Sequence, residues 1–168
     1  MNYDYRCDGI DGLVLIDEKY LDEIDDNLLA ELDIILDRDG KTELIHDFPN
    51  EKWKDVRKRE TKNIVEFCNS GKMVLFLANK DEYNCKITIS DTKSDSYTYI
   101  DVESGKLIVI NASELVQCLA YPELEMEILL KIDNVDRGIY SVKYDGIKNI
   151  ELIKERVHFS DAHNVIEL

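Results

Sequence analysis

The sequence predicts a mainly β fold: a β-rich α+β protein built as an antiparallel sandwich or partly open barrel, with two or three short helices. Three observations lead to this prediction. Short segments with strand periodicity follow one another through residues 62–155, turn sequences separate them, and no long helical pattern lies between them. Strands spaced this closely favour antiparallel pairing, because parallel strands need long crossover connections.

Length and composition predict one globular domain covering residues 1–168. The chain is 44% hydrophobic and 34% charged and contains only two prolines. Its N-terminus lacks the basic and apolar regions of a secretory signal, and no apolar run approaches the roughly 20 residues that cross a bilayer. We therefore expect a cytoplasmic protein that does not bind membranes.

The first fifty residues begin with a strand, "GLVLID" (12–17), after which Asp17 is placed to cap a helix. Apolar residues at helical spacing follow it: Leu21, Ile24, Leu28, Leu32 and Ile35. Two interpretations fit this pattern. One is a single amphipathic helix over residues 18–36. The other ends the helix near Ala30 and forms a hairpin over residues 32–48, with "DRDG" (37–40) as its turn.

A repeated pattern favours the hairpin. "LVLIDEKYL" (13–21) and "LIVINASEL" (107–115) both place four aliphatic residues before Asp or Asn, and both reach Leu four residues later. Each copy then continues with a candidate strand, a turn and a second strand. The sequence therefore suggests a duplicated strand–helix–hairpin unit in residues 13–46 and 107–144.

The rest of the chain contains the predicted strands. They are "KNIVEF" (62–67), "KMVLFLAN" (72–79), "CKITIS" (85–90), "SYTYIDV" (96–102), "KLIVIN" (106–111), "EMEILLKI" (125–132), "GIYSVKYD" (138–145) and "NIELIKE" (149–155). Glycine-containing turns follow several of them. Further helix is expected over residues 112–119 and 51–61. The ring of Trp53 should pack on the core.

The four cysteines predict buried, reduced thiols. Cys7, Cys68, Cys85 and Cys118 are widely spaced, and three of them lie among apolar residues. They form no CxxC pair and no zinc-finger spacing with histidine. A disulfide would need an oxidising compartment, which nothing in the sequence indicates.

No motif predicts catalytic residues, a cofactor or a metal. The chain lacks GxSxG, P-loop and GxGxxG patterns. His158, Asp161 and His163 are the best metal candidates, but such tail segments are usually only solvated or docked. His46 and Asp47 would point to opposite faces of a strand. The many acid pairs are typical of solvated surfaces. We therefore expect a protein that is not an enzyme.

Charge is the strongest global signal. The net charge is −15, and residues 1–50 alone hold 15 acids and 4 bases. Such a field repels nucleic acid and anionic membranes and accelerates association with a basic protein. Two interpretations fit this charge. One is that the acids provide only solubility. The other, favoured by the density of acids in residues 1–50, is a partner-binding face formed by six of them: Asp22, Glu23, Asp25, Asp26, Glu31 and Asp33.

The second half resembles a segment of small uncharacterised bacterial β-proteins, some of which are immunity proteins of toxin–immunity systems. The resemblance lies in "YPELEMEILLKIDNVDRGIYSVKYDG" (121–146) and extends at most over residues 107–154. It implies a non-enzymatic protein that neutralises a toxin, and the acidic charge suits a basic, nuclease-type toxin. The alternatives are a small-molecule-binding sandwich or barrel, and an assembly module. The sequence does not predict the oligomeric state.

Overall fold

Eight strands form one connected sheet in the computed structural model, which describes residues 1–91, 96–155 and 162–168, without the side chains of residues 8 and 79–83. Two long strands, β1 (Asn2–Asp17) and β2 (Met73–Ser90), pair antiparallel at its centre. The shorter strands are β3 (Tyr99–Val102), β4 (Leu107–Asn111), β5 (Leu130–Ile132), β6 (Gly138–Asp145), β7 (Asn149–Lys154) and β8 (Val165–Glu167).

The two long strands are shared between two five-stranded halves. The first half contains β3, β6 and β7 beside residues 86–90 of β2. The second half contains β4 and β5 beside the C-terminal end of β1, and β8 beside the N-terminal part of β2. Strand residues outnumber helical residues, as the sequence predicts. Most pairs are antiparallel, but β2 pairs parallel with both β7 and β8. The fold is therefore a β-rich α+β sandwich with a mixed sheet.

The helices cover the outer face of the second half. They are α1 (Asp26–Leu36), α2 (Trp53–Glu60), α3 (Lys62–Phe67) and α4 (Ala112–Ala120), with 3-10 turns at Glu18–Glu23 and Glu43–Asp47 and a π-type turn at Cys68–Lys72. α1, α3 and α4 supply apolar residues to a core against the sheet. The Trp53 ring is buried, as expected.

The two aliphatic motifs occupy adjacent strands of the second half. β1 and β4 pair antiparallel, with Leu15 opposite Val109 near the centre of the pairing. Leu13 and Leu15 face the core between the two halves, whereas Val14 and Ile16 face the helices. Residues 107–110 alternate in the same way. The pattern occurs twice because both strands are buried on both faces, which selects continuous apolar runs.

The predicted duplication ends after the helix in each copy. Residues 32–48 do not form a hairpin, because α1 continues to Leu36 and a 3-10 turn follows at Glu43–Asp47. Residues 125–145 do not form one either, since β5 pairs with β4 whereas β6 pairs with β3 and β7. Residues 13–46 and 107–144 share only a strand followed by helix.

Residues 18–36 match neither sequence interpretation. A 3-10 turn ends at Glu23, and α1 begins at Asp26 after a separate cap, Asp25. Asp17 caps the 3-10 turn by accepting a hydrogen bond from the Lys19 N–H at 2.9 Å. The break at Ile24 allows α1 to bury its own face on the sheet, and this burial extends the helix beyond Ala30.

Two predicted strands are wrong or shorter than expected. Residues 62–67 form α3, not a strand, because Ile64 packs in the helical layer and a carboxylate from α1 binds the start of α3. Residues 125–132 contribute only Leu130–Ile132 to the sheet. The segments predicted at 72–79 and 85–90 belong to one strand, β2.

Candidate functional site

Three of the six acids in the predicted partner-binding face have structural partners. Glu23 forms an ion pair with Lys72 at 2.8 Å, and Asp25 accepts the Leu28 N–H at 2.9 Å as the cap of α1. Glu31 accepts the Ile64 N–H at 2.9 Å and so joins α1 to α3. These carboxylates stabilise the helical layer, which makes them less available to a partner.

The other three acids, Asp22, Asp26 and Asp33, are exposed. Among the described residues, none of their carboxylates has a hydrogen bond or ion pair. Asp26 and Asp33 are seven residues apart and therefore lie on the same side of α1. These three side chains therefore remain available to a partner, and Asp33 lines a groove.

This groove has a volume of about 630 Å³ and lies between the C-terminal half of α1, the loop at residues 37–42 and α4. We call it the acidic groove. Asp33 lies on one wall and Asp11 and Asp39 contribute further acids, while Val116 and Tyr121 of the opposite wall are apolar or aromatic. The groove is therefore an acidic surface with an apolar wall, and it adjoins the face predicted from the sequence.

The charges of the groove are partly balanced. Its two bases are already engaged, since Arg38 pairs with Glu167 at 2.9 Å and Lys41 with Asp39 at 3.4 Å. Burial raises the pKa of the Asp33 carboxyl above its ordinary value, and the neighbouring charge of Asp37 raises it further. A cation placed beside Asp33 would lower this pKa again.

The loop at residues 37–42 is held in place by its own hydrogen bonds. The buried Asp37 carboxylate accepts the Lys41 N–H at 3.0 Å and the Thr42 hydroxyl at 2.6 Å. Trp53 donates its indole N–H to the Asp37 carbonyl and packs against Gly40, whose φ is +64°. The wall of the groove is therefore preorganised.

An exposed apolar segment continues from the groove. Residues 121–128, which we call the return segment, run back along α4: the Glu127 N–H donates to the Glu114 carboxylate at 3.2 Å. The exposed fractions are 57% for Tyr121, 43% for Leu124 and 37% for Ile128. Apolar side chains exposed together in one segment mark a candidate interaction surface.

Acids also alternate with the apolar residues of the return segment. Glu123, Glu125 and Glu127 are all exposed. The sequence analysis placed these glutamates among acid pairs typical of solvated surfaces. The informative signal was the strict alternation of Glu with Leu, Met and Ile after Pro122, in a segment that does not become a strand until residue 130.

The described residues do not provide a metal site. Across residues 1–91, 96–155 and 162–168, no group of three or more His, Cys, Asp or Glu side chains is arranged to hold a metal ion. His158 and Asp161 lie outside the described residues. His46 and Asp47 are in a 3-10 turn, so the prediction that they lie on a strand is wrong. No helix in the described part of the chain has the length and apolar character to cross a membrane.

Comparisons with known proteins do not assign a family. No family model matches the sequence, and no curated protein matches it significantly. A solved structure described as "Crocagin biosynthetic gene J" is similar to 93% of this chain and 99% of its own, with 10% sequence identity and a TM-score of 0.43. A similarity of this size carries no argument about function.

Proposed function

We propose that this protein is a non-enzymatic acidic protein that binds a basic protein partner, in the way that an immunity protein binds and neutralises a bacterial toxin. The observation that carries the proposal is the acidic groove together with the return segment. These two features combine negative charge with exposed apolar side chains on one continuous surface.

The two components have different expected roles. Charges at the rim of an interface accelerate association and select partners of opposite charge. Buried aromatic anchors contribute most of the affinity and slow dissociation. We assign the first role to Asp22, Asp26 and Asp33, and the second to Tyr121 and its apolar neighbour Leu124.

The raised pKa of Asp33 supports a binding role for its charge. Its pKa is raised, so the ionised carboxylate is less favourable in the folded chain than in the unfolded chain. Replacing it with Asn should therefore slightly increase stability at pH 7, by less than about 1 kcal/mol because the side chain is exposed. A charge that costs stability is expected where function requires it.

The charge component is tested by association kinetics. The protein is used to capture partners from a lysate of the source cell and from neighbouring gene products, and each captured protein is then purified. The triple variant Asp22→Asn, Asp26→Asn, Asp33→Asn should associate about tenfold more slowly than wild type at low salt, with a smaller change in dissociation. Raising the salt concentration should slow the wild type similarly.

A matched control variant has the same net charge as the triple variant but loses its three acids at a different location. The variant Asp91→Asn, Asp133→Asn, Asp145→Asn also removes three exposed acids, all of them outside the helical layer. At physiological ionic strength it should associate within about twofold of wild type, because charges farther than a Debye length of about 8 Å from the interface are then largely screened. An acidic partner, or equal effects of the two triple variants, would contradict the proposal.

The apolar component is tested by dissociation. Tyr121→Ala and Leu124→Ala should each accelerate dissociation tenfold or more, since truncating an interface anchor typically costs about 2 kcal/mol. Tyr97→Ala is the control, because Tyr97 is even more exposed, at 73%, but lies beside β3 in the first half. A dissociation rate unchanged by the Tyr121 and Leu124 substitutions would place the interface elsewhere.

The alternative of small-molecule binding has less support. The space between the two halves is filled by side chains such as Phe76, Ile87 and Val142, which are fully buried. The acidic groove lies on the surface and has charged side chains in its lining. A small-molecule site is expected to be concave and mostly apolar.

A further inference from the structure

Two of the four cysteines are in contact. Cys7 of β1 and Cys85 of β2 are both buried, and their sulfur atoms are 3.7 Å apart. In the pairing of the strands, Cys85 lies opposite Tyr5, so the two thiols are diagonal neighbours on one face of the sheet. Cys68 and Cys118 are also buried and form no disulfide, and no sulfur contact joins them among the described residues.

Cys85 lines a surface pocket of about 570 Å³. Among the described side chains, Arg6, Lys86 and Lys148 also line this pocket, together with one acid, Asp4. Cys7 does not line it. A small oxidant that enters the pocket would therefore meet Cys85 first, near Lys148, whose charge partly offsets the effect of burial on the pKa of the Cys85 thiol.

The local backbone can accommodate a closer approach of the two sulfur atoms. Among the described strands, no third strand pairs with residues 4–10 of β1 or residues 80–85 of β2. Forming a disulfide requires the sulfur atoms to move from 3.7 Å to about 2.05 Å. Diagonal neighbours lie farther apart than the Cα separation usual in a disulfide, so this requires a change of twist in the two-stranded ribbon as well as rotation about the Cα–Cβ bonds.

We propose that Cys85 and Cys7 are a peroxide-reactive thiol pair that forms an intramolecular disulfide across β1 and β2. The Cys85 thiolate attacks one oxygen of hydrogen peroxide, the O–O bond breaks, and the departing hydroxide leaves as water after taking a proton. Cys85 is then a sulfenic acid. The Cys7 sulfur attacks it, the S–O bond breaks, the Cys7 proton and the hydroxyl leave as a second water, and the S–S bond forms.

The pair should react slowly at neutral pH. Burial raises the pKa of the Cys85 thiol, although the Lys148 charge and hydrogen bonds from Cys7 and Tyr5 act in the opposite direction. The thiolate fraction, and therefore the oxidation rate, should increase about tenfold per pH unit below that pKa. Burial also raises the pKa of Cys68, which is fully buried in the helical core, so it is an internal control.

The experiment exposes the native protein to hydrogen peroxide at pH 7 and pH 8 and analyses its tryptic peptides by mass spectrometry. We expect a monomer 2 Da lighter, with a Cys7–Cys85 cross-linked peptide and with Cys68 still reduced. Cys7→Ser should stop the reaction at a Cys85 sulfenic acid that dimedone traps. Cys85→Ser should leave Cys7 unmodified under the same exposure.

Two results would overturn the proposal. One is a disulfide that joins Cys68 or Cys118 to either member of the pair. The other is a pair that stays reduced in the native protein under a peroxide dose that oxidises all four thiols of the urea-unfolded chain. If a serine variant does not fold, the wild type still decides. Wild-type protein with and without peroxide treatment is unfolded and its thiols are then alkylated. After peroxide treatment, only Cys7 and Cys85 should no longer react with the alkylating reagent.

Discussion

Replacing Asp17 with asparagine tests the connection between the first aliphatic motif and the rest of the sheet. Asp17 is fully buried, and its two carboxylate oxygens accept three backbone hydrogen bonds. One oxygen binds the Lys19 N–H at 2.9 Å, and the other binds the Glu103 and Ser104 N–H groups, each at 3.0 Å. The side chain therefore holds the end of β1 to the turn that precedes β4.

The magnitude follows from this geometry. An amide has only one acceptor oxygen, so the substituted side chain must turn its NH₂ group toward either the Lys19 N–H or the Glu103 and Ser104 pair. At least one buried donor loses its acceptor, and the remaining hydrogen bonds lose their assistance from charge. We expect Asp17→Asn to lower the free energy of unfolding by about 2 to 4 kcal/mol.

Urea unfolding followed by circular dichroism measures this change. With a slope of about 2 kcal/mol/M, the midpoint should fall by roughly 1 to 2 M. Asp22→Asn is the matched control, because it makes the same chemical change at an exposed position and should change stability by less than about 0.5 kcal/mol. If both variants unfold at the same urea concentration, the three hydrogen bonds of Asp17 do not stabilise the fold as argued.

Three further predictions concern other parts of the fold. Asn164→Asp should lower the unfolding free energy by about 3 kcal/mol or more, measured by urea, because the buried amide donates to three backbone carbonyls and a carboxylate cannot; a wild-type midpoint would refute this. Gly40→Ala should lower it by about 1 to 2 kcal/mol and shift the Trp53 fluorescence, because the new Cβ would lie 2.8 Å from the Trp53 ring; unchanged fluorescence and stability would contradict that packing. Burial raises the pKa of Tyr140 to about 12 and also raises the pKa of Tyr20. Since the unfolded chain ionises these phenols first, stability should persist below about pH 10 and decrease above it. Absorbance at 295 nm should then show a group of tyrosines ionising only with unfolding, and titration of all nine near pH 10 would disprove it.

The candidate site was only partly predictable from sequence. The excess of acids in residues 1–50 led to Asp33, which does line the groove. It also led to Glu23, Asp25 and Glu31, which have partners inside the protein. Composition counts charges but does not show which of them are already paired. The return segment was missed because its importance depends on exposure, and exposure depends on what packs beside it.

The sequence by itself determined the β-rich class, the two aliphatic strands, a helix over residues 112–119 and the buried state of the cysteines. These features follow from local periodicity and from the tendency of apolar residues to be buried, which operate over a few neighbouring residues. The Asp17 cap belongs with them, since its first partner, Lys19, is two residues away.

Only the tertiary structure decided which strands pair and where the helices end. Residues 62–67 have strand-like composition, yet they form α3 because Glu31, more than thirty residues earlier, binds its first N–H groups. The shared strands β1 and β2 and the sulfur contact between Cys7 and Cys85 depend on residues more than fifty positions apart. Such contacts form when the whole chain buries its apolar surface, so a short segment of sequence does not predict them.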